Sequence, residues 1–380
     1  MKKYYLLAPG PTPIPPEVLQ ALSRPILHHR TPDFEALFAR VRAGLAELLE
    51  TRSEVIILAA SGTGAMEAAV VNLLSPGDEA IVIRCGKFGE RWGELCRAFG
   101  LSVHAVDAPY GESVSPDRVA AALKAHPTAK ALFTTQSETS TGVLEDIEAY
   151  ARLTRGTPTL LVVDAVSSFG AVACPMDRWG VDVVVTGSQK GLMCPPGLAV
   201  IALGERAWRA AERATLPRFY WDLRAERQWQ AKRQAQYTPA VSLLMGLDVA
   251  IGLLQAEGLA NVYRRHDRLA AAMRAGAEAL GLGLFSRAMP SPAVTAITAP
   301  AGVDGEAVVR GYGEEHNITI AGGQGEMKGR IFRLAHLGYV GEYDIIVGLA
   351  ALERVLARLG LPVELGAAVA AAQRLLAKEA

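Results

Sequence analysis

Val181-Asp182-Val183-Val184-Val185-Thr186-Gly187-Ser188-Gln189-Lys190-Gly191-Leu192 is the stretch around which the rest of the chain arranges itself. Its β-branched run reads as a buried strand, and the strand empties into a turn of small residues carrying one lysine. Lys190 is the only lysine between Lys130 and Lys232, so it belongs to no solvated basic face. Such a lysine forms a Schiff base with an aldehyde when its neighbours keep part of it neutral. An exposed turn lysine is the plainer alternative.

Upstream, Thr159-Leu160-Leu161-Val162-Val163-Asp164-Ala165-Val166-Ser167-Ser168 reads as a second strand with Asp164 at its end. An Asp there is often only a turn or helix cap. Yet two strand ends, 26 residues apart, present a carboxylate and a lysine. In open α/β sheets, ligands sit beyond the carboxyl ends of the strands. Pyridoxal 5'-phosphate uses both groups: a lysine holds the aldehyde, and an Asp keeps the pyridine nitrogen protonated as an electron sink.

Composition sets the outer bounds. A chain of 380 residues buries a large core and divides naturally into one big domain and a smaller one. Lys+Arg and Asp+Glu are both 39, so the balanced charge offers no general attraction to nucleic acid or an anionic membrane. No apolar run reaches the roughly 18 residues that span a bilayer. The start, Met1 to Pro11, is too short and proline-broken for a signal peptide. Cys85, Cys96, Cys174 and Cys194 form no CxxC pair, which suggests free thiols in a reducing cytoplasm.

Residues 1–20 carry Pro9, Pro11, Pro13, Pro15 and Pro16 and read as an extended segment lying over the surface or reaching to a neighbour. Thr31-Pro32-Asp33 reads as a helix start. His28 and His29 have no evident third metal ligand. Val55 to Ala59 is a strand, and Ser61-Gly62-Thr63-Gly64-Ala65-Met66-Glu67 turns it into a helix. The N–H groups of that helix start, with the Ser61 and Thr63 hydroxyls, make an anion site suited to a phosphate smaller than a dinucleotide. A ligand-free tight turn is the alternative. Phe88, between glycines at a strand end, could stack on a flat ring or simply close the core. Ala131 to Thr135 is a further strand, followed by the hydroxyl-rich loop 136–142. Four or more strands, each followed by a helix, give a mostly parallel mixed sheet flanked by helices, an α/β architecture.

Residues 242–281 have helical periodicity, and 265–380 alternates short strands and helices as a compact α+β unit. The expected division is 1–20, an extended segment; 21–260, a large cofactor-binding domain; and 261–380, a small C-terminal domain. If 330–334 is a strand, Arg330 and Arg333 point to opposite faces, and one of them can hold a carboxylate in a cleft between domains.

Read in order, the motifs are Pro9-Gly10-Pro11-Thr12, His29-Arg30-Thr31-Pro32, Ser61 to Glu67, and Glu138-Thr139-Ser140-Thr141-Gly142. Val163 to Ser168, Gly187-Ser188-Gln189-Lys190, Tyr237-Thr238-Pro239 and Arg330-Ile331-Phe332-Arg333-Leu334 complete the series. In this order the chain resembles the class V aminotransferases of the type I pyridoxal-phosphate fold, nearest the alanine–glyoxylate and serine–pyruvate branch. The resemblance implies that Lys190 is the Schiff-base lysine and moves the substrate α-proton. It also implies that Asp164 pairs with the pyridine nitrogen, that Val166 lies against the ring, and that Gly62, Thr63 and Gln189 bind the phosphate. Phe88 stands where the family has a ring-stacking aromatic, often Trp. Thr139 stands where it has a Ser or Thr near the cofactor oxygen. Arg333 would bind the substrate carboxylate, with the backbone near Gly10 closing over it. Tyr237 and Thr238, or Gln236, would reach the phosphate of a partner subunit in a homodimer.

The implied reaction is ping-pong transfer of an amino group from alanine or serine to glyoxylate or pyruvate. Aspartate or phosphoserine is the nearer alternative and needs a second cation, for which Arg30, His29 and Arg330 are candidates. A cysteine desulfurase needs a late nucleophilic cysteine, and no cysteine follows Cys194. A non-catalytic partner protein would be expected to lose the lysine or the aspartate.

Overall fold

The computed structural model describes residues 2–377. Its centre is a seven-stranded sheet in the order Glu54–Leu58, Ala199–Leu203, Val183–Gly187, Leu160–Asp164, Ala131–Thr135, Glu79–Arg84, Ser102–Asp107. Ala199–Leu203 runs antiparallel to both of its neighbours, and the other pairings are parallel. The near-continuous apolar runs follow from burial on both faces. Ile57, Ile81, Leu161, Val163, Val184 and Val200 enter one core with the helices Pro32–Leu48 and Val241–Glu257. Their neighbours Ile56, Val82, Val162, Val185 and Ile201 enter a second core with the helices Gly62–Leu73 and Lys87–Ala98.

A third core surrounds a small antiparallel sheet of Val294–Thr298, Ile331–Ala335 and Ala321–Gly322. Phe332 and Leu334 alternate into that core with Ile297. The intervening Arg333 therefore points the other way, and it is only 4 % exposed. The helical region 242–281 is two helices, Val241–Glu257 and Leu259–Ala279, broken at Gly258, whose φ is +82°. At Thr31 the side chain caps the helix Pro32–Leu48 by accepting from the Phe34 N–H.

The expectation of an extended segment over 1–20 needs correction. Tyr5–Leu6 pairs in parallel with Ile318–Thr319, but a helix, Pro16–Leu22, begins before residue 20. Proline is preorganised for a first helical position, where no N–H is needed. Val18 and Ala21 on this helix are fully buried. Between these elements the chain passes directly over the Lys190 turn: the Thr12 N–H donates to Gln189 O (3.1 Å) and the Thr12 hydroxyl to Lys190 O (2.9 Å).

Candidate active site

A pocket of about 260 Å³ opens at the carboxyl ends of the central strands, and Lys190 and Asp164 are both on its wall. Asp164 is the last residue of its strand, opposite Thr135 on one side and Val185 on the other. It is 2 % exposed. Its Oδ1 accepts the Val166 N–H at 2.8 Å, while Oδ2 has only the Thr135 hydroxyl at 3.4 Å. That leaves Oδ2 with lone pairs to spare. Burial raises the carboxyl to about 6, against the pull of the Val166 N–H; Glu138 adds to the rise, and the Lys190 and Arg91 charges oppose it.

Lys190 follows a turn that Ser188 ties down. Ser188 N donates to Leu198 O (2.9 Å), and its hydroxyl donates to Pro195 O (2.6 Å). The lysine Nζ donates to Pro9 O. Burial lowers the ammonium to about 8, with the Asp164 charge opposing and Arg333 and Arg91 assisting. The fall makes this amine far more available as a nucleophile at neutral pH than an exposed lysine.

The end of the pocket expected to take an anion is the start of the helix Gly62–Leu73. Ser61 is its N-cap residue but makes no side-chain cap bond, so its hydroxyl is not consumed by the helix. A Cβ at Gly62 would come within 2.5 Å of Val166 Cγ2, so this residue must be small for strand end and helix start to close together. Gln189 Oε1 is buried with no hydrogen-bond partner among the described residues. Phe88, Val166 and Gly10 complete this wall with Ser61, Thr63 and Arg91.

Arg333 is held by carbonyls. Nε and Nη2 donate to Gly322 O (2.9 and 2.7 Å), and Nη1 donates to Thr139 O (2.7 Å). Of the five guanidinium N–H groups, three are used and one remains on each terminal nitrogen; Arg333, like Thr139, does not itself line the pocket wall. Burial lowers this group to about 10, with the Glu138 charge opposing.

Eight expected residues therefore share one pocket wall: Gly10, Gly62, Thr63, Phe88, Asp164, Val166, Gln189 and Lys190. Thr139 does not line it; Thr135 and Ser137 do, and Thr139 is buried behind them with its carbonyl on Arg333. Tyr237 and Thr238 lie in a separate depression with Tyr220 and Pro239. Arg30 also lies away from the pocket wall, donating to Gln234 Oε1 and Ala235 O. His29 stacks on His28, and Arg330 is exposed just before its strand. Besides Lys190, the cation that reaches the wall is Arg91. It follows Phe88 by three residues on one helix, a spacing that puts both on one face and could have been noticed in the sequence.

The family described as aminotransferase class-V matches residues 4–329, and this chain belongs to it. A Synechococcus protein named soluble hydrogenase, small subunit, is 47% identical over 98% of both chains. The L-aspartate–glyoxylate aminotransferase of Paracoccus denitrificans is 40% identical, over 97% of this chain and 95% of that one. Among solved structures, pyridoxamine-pyruvate aminotransferase from Mesorhizobium loti superposes with a TM-score of 0.95 at 30% identity, covering 100% of this chain and 98% of that one. The fold is that of the type I pyridoxal-phosphate transferases, and the chain is a class V aminotransferase.

Proposed function

We propose that this chain uses pyridoxal 5'-phosphate to move an amino group from alanine or serine to glyoxylate or pyruvate. The observation that carries the reading is Lys190, lowered to about 8 by burial, on one pocket wall with the buried Asp164. The residues fit the cofactor: Asp164 Oδ2 has acceptor capacity to spare for a protonated ring nitrogen, the Ser61 hydroxyl is not used in capping, and a helix start offers its N–H groups to an anion.

Gly62, Thr63 and Gln189 would hold the phosphate, Phe88 and Val166 the two ring faces, and Asp164 the ring nitrogen. When bound, the group supplies an aldehyde for the amino nitrogen and a conjugated ring that takes up the electron pair left by the α-proton. Arg333 orients the amino acid by binding its carboxylate with the two free N–H groups. Lys190 Nζ, neutral in part of the population, would accept the proton from the donor's Cα and release it again within the same half-reaction, and in the other half would deliver a proton to the Cα of the new amino acid. The segment at Pro9 and Gly10 covers the lysine and limits the access of water. Ping-pong kinetics are expected.

The acceptors agree with the names of the Paracoccus and Mesorhizobium relatives, which mention glyoxylate and pyruvate. A second reading, an acidic donor such as aspartate or phosphoserine, is favoured by Arg91 on the pocket wall and by the Paracoccus name. The hydrogenase name describes the Synechococcus protein. In this chain the four buried thiols join no group of three close ligands among the described residues. The single such group, Glu79, His104 and His126, lies beside the start of the Glu79–Arg84 strand, away from the pocket.

We place the working form as a cytoplasmic homodimer. Tyr237 and Thr238 sit beside an exposed aromatic group, with Tyr237 stacked on Tyr220 at 5.0 Å and Phe219 80% exposed. This patch suits a neighbour whose phosphate site Tyr237 and Thr238 would complete. Free thiols suit a reducing compartment. Among the described residues no single helix is long and apolar enough to cross a membrane.

The test is the absorption spectrum of the purified protein with cofactor. A visible band that alanine or serine shifts, and that Lys190→Ala lacks, supports the reading. Aspartate and phosphoserine run in parallel decide the donor. The absence of any band with excess cofactor would overturn the assignment.

A further inference from the structure

The anion-binding end of the pocket is built mainly from neutral donors: helix N–H groups, the Ser61 and Thr63 hydroxyls, and the Gln189 amide. A phosphate monoester carries about −1.5 to −2 charge at pH 7, whereas a helix start supplies only roughly half a positive charge. Two cationic side chains line the pocket wall, Lys190 and Arg91. Lys190 Nζ is occupied by Pro9 O and is assigned to the aldehyde.

Arg91 is differently placed. Its Nη1 donates to Thr63 Oγ1 at 3.1 Å, its one hydrogen bond among the described residues. Its guanidinium carbon lies 4.9 Å from the centre of the Phe88 ring. Among the described residues no carboxylate pairs with it at ion-pair distance, although twelve such pairs form elsewhere. Four of its five N–H groups are therefore uncommitted. The bond to Thr63 also has a direction. Because Oγ1 accepts from Arg91, the threonine keeps its own proton free to donate into the cradle.

We propose that Arg91 is the fixed countercharge for the cofactor's phosphate and the group by which this protein distinguishes phosphorylated from unphosphorylated pyridoxal. The proposal rests on the pyridoxal-phosphate reading above. Arg91 lies on the phosphate side because its bond is to Thr63, at the helix start, and one turn of helix carries the same alignment to Phe88. A charge held by a threonine on one side and an aromatic face on the other needs little further ordering when the anion arrives.

The experiment uses the full-length apoprotein and measures dissociation constants for pyridoxal 5'-phosphate and for pyridoxal by absorbance titration. Wild type, Arg91→Gln and Arg91→Lys are compared, with circular dichroism to establish folding. Arg91→Gln should weaken pyridoxal 5'-phosphate binding by about tenfold or more while leaving pyridoxal within about twofold, since charge-assisted bonds to phosphate are the strong ones. Arg91→Lys should fall between, and it serves alone if the glutamine variant does not fold. Unchanged phosphate-ester binding in the folded variants would overturn the proposal. So would unchanged cofactor binding with a raised KM for aspartate but not alanine, which would make Arg91 a substrate-side cation. If the wild type itself binds neither compound, the cofactor reading falls first, and the proposal with it.

Discussion

Capture of pyridoxal 5'-phosphate by the apoprotein should accelerate with pH and level off near pH 8, because the attacking group is the neutral Lys190 amine. Burial sets that value by disfavouring the ammonium, and the Asp164 charge opposes the fall without cancelling it. The size of the effect follows from the free-base fraction. With an ammonium at about 8, roughly one molecule in ten is reactive at pH 7, against about one in 3,000 for an ordinary lysine at about 10.4 to 10.5. The advantage at neutral pH is on the order of a hundredfold or more. Stopped-flow absorbance between about pH 6.5 and 10 would follow the reaction, spanning the expected change of slope. Below about pH 8 the rate should climb close to tenfold per unit; above it the curve should flatten. Asp164→Asn removes the charge that favours the ammonium, so the onset of the plateau should move lower. A rate still climbing tenfold per unit beyond about pH 9 would mean that burial does not perturb Lys190, and the argument would fail.

Three further perturbations test separate parts of the structure. Gly10→Ala places a methyl against the Lys190 side chain, with Cδ only 2.7 Å away, at a φ of +133° that L-residues rarely adopt. It should cost on the order of 1–3 kcal/mol in a melting experiment and depress kcat by displacing the lysine; unaltered kcat would mean that the N-terminal segment does not hold Lys190. Arg333→Lys loses the fork that grips Gly322 O and Thr139 O, and with it the proposed hold on the substrate carboxylate. KM for the amino acid should rise by about tenfold or more, and a wild-type KM would place the carboxylate elsewhere. His266 and His336 are buried and neutral, both lowered to about 3 mainly by burial. Each accepts at Nε2, from the Gly338 N–H and the Thr295 hydroxyl respectively. Because their folded values lie below the unfolded value, their contribution is complete above about pH 6.5 and declines as pH falls toward about 3. Urea unfolding at about pH 5.5 against pH 7.5 should show a loss on the order of 1 kcal/mol per histidine, and His266→Gln should remove one such share of the pH dependence.

The alternation of strand and helix was legible in the sequence because it is a local property. Runs such as Val183–Gly187 and Leu160–Asp164 are β-branched and apolar, and the glycines and hydroxyls after them force turns. Lys190 and Asp164 stood out for the same reason, as polar residues at the ends of apolar strands. The helix Pro16–Leu22 was hidden by its prolines, which read as extended until Val18 and Ala21 find a surface to pack on. Arg91 could be placed on the face of Phe88 by its spacing, but among the other charges of that helix only the approach of Thr63 from another element distinguishes it.

The sequence by itself determined the alternating elements, the motifs at their ends and the small residues that let those ends close, because each depends on neighbours a few positions away. Tertiary structure alone decided the strand order that puts Asp164 between Thr135 and Val185, the burial that lowers Lys190, and the choice of Arg333 over Arg330 as the inward cation. Those properties arise from contacts between segments far apart in the chain. Desolvation, which perturbs the lysine and the aspartate, exists only once the segments have come together.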